Sequence, residues 1–81
     1  MSNILQEKLY YMSMSIFSEN LKRLRKEMGV SQGFLAEYVD VSQQCISEWE
    51  NDRIEPTLSY LCRIADFFDI SIDILVGRKE Y

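Results

Sequence analysis

An all-α fold of five short helices is what this sequence predicts, on three observations. Apolar residues recur at three- and four-residue intervals in successive stretches, and each stretch opens on a serine or threonine able to cap a helix. No stretch alternates apolar and polar residues as a half-buried strand would. The 81 residues, 47% of them hydrophobic, suffice for one modest core and leave no room for a second domain.

Residues 1 to 16 stand apart as an N-terminal extension. Ile4, Leu5, Leu9, Met12 and Ile16 recur at near-helical spacing, which predicts an extra amphipathic helix over roughly Asn3 to Met12. Its apolar stripe requires cover, as an interaction helix would have. The other reading makes Met12 or Met14 the functional start and the preceding residues a loose extension. Composition does not choose between the two.

Ser18 is the expected cap of the first helix of the domain, which runs to Met28 with Glu19 at its positive end. Leu21, Leu24 and Met28 form its core stripe, and Gly29 is its left-handed stop. Ser31 then caps a helix to Val39, with Leu35, Ala36 and Val39 on one face. Asp40 and Val41 make a sharp turn, and Ser42 caps a third helix to Glu50 that offers Ile46 and Trp49. Asp40 stands where the chain needs a left-handed residue, and Ala36 leaves room for the two helices to cross closely. These two helices form a helix-turn-helix pattern. The segment from Glu50 to Pro56 is an ordered connector. Thr57 caps a fourth helix whose apolar positions are Leu58, Leu61, Ile64, Ala65 and Phe68, and Asp69 to Ser71 breaks it. A short fifth helix, Ser71 to Val76, offers Ile72, Leu75 and Val76 and stops at Gly77.

Composition narrows the chemistry. The chain has no histidine and two cysteines, Cys45 and Cys62, so a histidine general base and a four-ligand zinc site are excluded. The cysteines are expected as buried or half-buried packing residues rather than as a disulfide. Glu48, Asp52 and Glu55 lack the spacing of a calcium loop. No enzyme, metal or cofactor is therefore expected. No apolar run approaches bilayer length and the N-terminus lacks the pattern of a secretory signal, which predicts a cytoplasmic protein without membrane contact. A net charge of -4 argues against gripping nucleic acid by bulk electrostatics, although Lys22, Arg23, Arg25 and Lys26 make a local basic group.

From Leu24 to Gly77 the chain resembles the phage-repressor type of helix-turn-helix domain, the Cro and C1-like or xenobiotic-response-element family. The carriers are Ser31-Gln32, Leu35-Ala36-Glu37, Val41-Ser42 and Ile46-Ser47 running into Trp49-Glu50-Asn51. Pro56-Thr57-Leu58, Leu61, Ile64-Ala65 and the close from Ile70 to Leu75 follow in order. The resemblance implies a five-helix, lambda-repressor-like DNA-binding bundle over residues 17 to 77, with 78 to 81 as a tail. It also implies that the helix from Ser42 to Glu50 enters the major groove of double-stranded DNA. The sequence departs from the family at Asp40 and Asp52, where glycine is usual, and at Gly33 and Phe34, where polar helix formers are usual.

By the same resemblance, Gln43 and Gln44 are base readers, since a glutamine amide both donates and accepts as adenine N6 and N7 require. Ser42 and Ser47 flank them, and Glu48 occupies an outward position from which a carboxylate repels phosphates and accepts from cytosine N4. Gln32 matches the family residue that bonds a phosphate at a helix N-terminus, and Asn51 and Arg53 lie where the family contacts the backbone. Arg25 and Glu50 match a buried ion pair. A sequence-specific transcriptional regulator follows, expected as a repressor that binds a pseudo-palindromic operator as a homodimer. The competing expectation is an acidic protein-interaction module on the same scaffold: an antitoxin, antirepressor or adaptor. Phe34 and Tyr38, four residues apart on an outward face of their helix, would then join the N-terminal extension in holding a protein partner.

Overall fold

The computed structural model describes residues 16–79, and the helix expected over Asn3 to Met12 lies outside the described residues. The architecture is all-helical: α1 over residues 16–28, α2 Gln32–Val39, α3 Gln43–Glu50, α4 Leu58–Phe68 and α5 Ile72–Leu75. Helices α2 and α3 cross as the helix-turn-helix unit, α4 packs against α2, and α5 closes on α4.

Local signals fix the helix starts. The Ser31, Ser42 and Ser71 hydroxyls accept from the N–H groups of Phe34, Cys45 and Ile74 at 3.0, 3.1 and 3.2 Å, each satisfying an orphan donor of a first turn. Thr57 has the extended backbone of a cap but makes no side-chain cap bond, so only its carbonyl enters α4. Ser18 is not a cap at all. The helix already includes residue 16, which places Ser18 inside α1, where its buried hydroxyl donates to the Trp49 carbonyl at 2.6 Å.

Every helix among the described residues ends in the same closure, a residue of positive φ followed by an N–H that reaches back five residues to a carbonyl. Gly29, Asp40, Asp52, Asp69 and Gly77 hold φ of 76°, 66°, 59°, 56° and 79°. The N–H groups that follow them bond Arg25, Ala36, Glu48, Ala65 and Asp73 at 2.8–3.2 Å. Asp69, which the sequence marks only as a helix break, thus works as Asp40 and Asp52 do. Gly77 is constrained twice, because a Cβ there would run into the Ile16 side chain where α1 meets the end of α5. Asn20 adds to that junction by donating to the carbonyls of Ile74 and Leu75 at 3.3 and 3.1 Å.

Asp52 bears a further cost, because one of its carboxylate oxygens is buried with no hydrogen-bond partner among the described residues. Asp52→Gly removes both that oxygen and the left-handed strain. It is expected to raise the unfolding free energy by about 1 kcal/mol. The readout is a higher urea midpoint at unchanged slope; a lower midpoint would mean that the carboxylate holds the turn together.

The core takes side chains from all five helices: Phe17 and Leu21, then Leu35, Ala36 and Val39, then Ile46 and Trp49, then Ile64, Ala65 and Phe68, and Leu75. Two expected core residues are exposed. Met28 sits in the last turn of α1 and Leu58 at the first position of α4, each beyond the edge of the stripe that its helix buries. Cys45 is half-buried, but Cys62 is exposed on α4 rather than packed.

Candidate nucleic-acid interface

The far end of α3 is clamped from two helices. Arg25 on α1 donates through Nε to Glu50 Oε2 at 2.6 Å and through Nη2 to Oε1 at 3.1 Å, while its Nη1 reaches the Val30 carbonyl at 3.0 Å. This is the planar, two-pronged geometry that makes arginine–carboxylate pairs strong. Gln32, first residue of α2, donates through Nε2 to the same Glu50 Oε1 at 3.1 Å. Only 1% of the Glu50 side chain and 12% of that of Arg25 are exposed. Hydrogen bonding to Glu50 holds the Arg25 guanidinium above its ordinary range, against the opposing effect of partial burial. With the Ser18 bond to the Trp49 carbonyl, the last turn of α3 is fixed from α1 and α2 together.

Helix α4 supports the unit from below. Arg63 donates to the Val39 carbonyl at 3.1 Å, satisfying the end of α2. Its guanidinium stands 5.8 Å from the centroid of the Tyr60 ring, which packs in turn against Trp49 at 5.5 Å. Neither Ser18 nor Arg63 is marked by the sequence as a support of α3. The available signal is a buried-type position filled by a small hydroxyl, and a cation one turn beyond an aromatic on a packed helix.

The polar residues of α3 form its outward side. Ser42, Gln43 and Gln44 are exposed, and Ser47 and Glu48 are half-buried. Four-residue spacing arranges them in two rows, Gln43 with Ser47 and Gln44 with Glu48. In the first row Ser47 is engaged, whereas the exposed Gln43 side chain only stands near α2. Gln43 Oε1 lies 3.6 Å from where a Cβ on Gly33 would stand, so the glycine that is unusual in α2 faces the start of α3. Ser47 is held by Asn51, whose amide nitrogen donates to its carbonyl at 2.7 Å and reaches its hydroxyl at 3.4 Å. Asn51 therefore closes the end of α3 as well as standing in the connector. Arg53 is exposed beside it. The side chains of Gln44 and Glu48 make no hydrogen bond or ion pair with other described residues.

Within α3, burial pushes the Cys45 thiol up and the Glu48 carboxylate adds to the shift, so the sulfur stays protonated at neutral pH. That suits a packing residue and not a redox centre. Phe34 and Tyr38 are 55% and 57% exposed, yet both meet the Phe67 ring of α4 edge-on, at centroid distances of 6.2 and 4.9 Å. Among the described residues, no helix is long and apolar enough to cross a membrane.

A family model described as Helix-turn-helix matches residues 21–75, well over half of the chain. The chain belongs to the helix-turn-helix family. A relative of this helix-turn-helix chain is the transcriptional activator BcrR of Enterococcus faecalis, 38% identical over 64 residues that cover 79% of this chain and 31% of the relative. A crystal structure of a transcriptional regulator from Listeria innocua superposes with a TM-score of 0.74 at 35% identity, covering 80% of this chain and 61% of that one. The P22 c2 repressor, solved in complex with a synthetic operator, superposes with a TM-score of 0.71 at 30% identity over 74% of this chain and 91% of the repressor chain. The helix-turn-helix chain spans 31% to 56% of the length of the first curated relatives that it matches.

Proposed function

We propose that this helix-turn-helix chain is a non-enzymatic, sequence-specific, cytoplasmic transcriptional regulator that binds a pseudo-palindromic operator as a homodimer. The observation that carries the reading is the clamped α3 with an outward polar side, a rigid reader of the kind that fits the major groove. The likeness to the P22 repressor, solved on an operator, supports the same placement. Gln43 and Gln44 read bases, with Ser42 and Ser47 beside them. Gln32 keeps one amide N–H for a phosphate after giving the other to Glu50. Arg53 and Asn51 approach the backbone from the connector, and Arg25 with Glu50 acts only through the pose of α3. One module of this size touches few base pairs, so two copies on a symmetric site supply the specificity. Bound over a promoter, such a dimer represses by exclusion. The regulator names carried by the relatives support this reading over the protein-interaction module.

A salt titration of the full chain on random and on selected duplex DNA tests the proposal. Binding to random duplex is expected at low salt and falls as salt rises, with log K declining by about 0.9 per log unit of salt for each phosphate neutralised. Selected duplex should bind at least about a thousandfold more tightly and take up two copies. Absence of binding to any duplex at low salt rejects the reading and favours the protein-partner module.

A further inference from the structure

We infer that Glu48 makes this chain select a cytosine in each operator half-site, one or two base pairs from the base read by Gln44. The inference rests on the DNA-binding reading above and adds the identity of a base to it. On the outward side of α3 the Ser47 hydroxyl is taken up by Asn51, whereas the side chains of Gln44 and Glu48, one turn apart in a single row, make no hydrogen bond with other described residues. Glu48 is half-buried, so packing restricts its stem, while its carboxylate has no cation to neutralise it among the described residues.

A carboxylate only accepts hydrogen bonds. In the major groove, guanine offers the acceptors O6 and N7, and thymine offers O4; both repel it. Adenine offers its N6 donor beside the N7 acceptor, so a carboxylate there gains one contact against one repulsion. Cytosine alone presents a donor, N4, with no adjacent acceptor on its own edge. The like charge of the phosphates makes Glu48 unfavourable on any sequence, and the cytosine contact offsets that cost only at the right site. Glu48 thus sets specificity at the expense of general affinity. Its distance from Gln44 follows from the helix: four residues rise about 6 Å, close to two base-pair steps of about 3.4 Å.

Binding-site selection from a random duplex library with the full chain and with Glu48→Gln tests this. The wild-type chain is expected to recover sites with a cytosine within two base pairs of the position that Gln44→Ala relaxes. Changing that cytosine to thymine should weaken wild-type binding by about 5- to 150-fold. Glu48→Gln, a neutral amide of the same shape, should lose the cytosine requirement, gain adenine at the same position and leave the other positions unchanged. Its affinity for random duplex should rise. Wild-type sites without that cytosine, or a Glu48→Gln variant that keeps the requirement, overturn the inference while DNA binding stands. Failure of the wild-type chain to recover any sequence overturns both.

Discussion

Arg25→Ala is expected to destabilise the domain by about 3–5 kcal/mol, a large part of the stability of a domain this small. The mutation leaves Glu50 buried with its charge uncompensated, since the only other donor to that carboxylate among the described residues is the neutral Gln32 amide. Glu50→Ala should cost a comparable amount by stranding Arg25, of whose side chain 12% is exposed. The double alanine variant should lose less than the sum, because the second change removes the charge stranded by the first. Urea melts of the four proteins at one pH supply the cycle. Strict additivity would show that the guanidinium and the carboxylate stabilise the fold independently, contrary to the 2.6 Å contact. Both single variants should also weaken operator binding more than random-duplex binding, because the pair fixes the last turn of α3 and with it the direction in which the proposed base readers of the first turn, Gln43 and Gln44, point.

The helix-turn-helix unit was legible in the sequence because its determinants are local. Ser31 and Ser42 mark starts, Asp40 marks the turn, and the spacing of Leu35, Val39, Ile46 and Trp49 marks the buried faces. The start of α1 was not legible, because nothing in Ile16-Phe17-Ser18 distinguishes a cap from a buried hydroxyl until Trp49 is brought alongside. Phe17 was missed as a core residue for the same reason. Met28 and Leu58 fit their helical periods and are nevertheless exposed, since period gives a face and not the point at which the neighbouring helix ends. In the candidate site the sequence pointed to residue types on α3 but not to which of them are already occupied. The bonds of Gln32 to Glu50 and of Asn51 to Ser47 depend on how helix ends meet, and they separate the engaged residues from Gln44 and Glu48.

That separation gives Gln44→Ala and Arg53→Ala opposite signatures. Gln44 is exposed on α3 and its side chain makes no hydrogen bond with other described residues, so its truncation leaves the core untouched and takes away only an amide aimed outward. Discrimination at one base pair of each half-site should fall by about 1–3 kcal/mol, with melting temperature unchanged and the salt slope preserved. Arg53 lies in the connector after α3, where its exposed guanidinium can reach a phosphate but carries no information about the base. Its removal should weaken binding to all sequences alike and reduce the salt slope by about one unit. Binding-site selection and a salt titration on each variant distinguish the two. An unchanged sequence preference for Gln44→Ala would remove Gln44 from the base readers. A changed preference for Arg53→Ala would place the arginine in a groove rather than on the backbone, and the connector would then read sequence alongside α3.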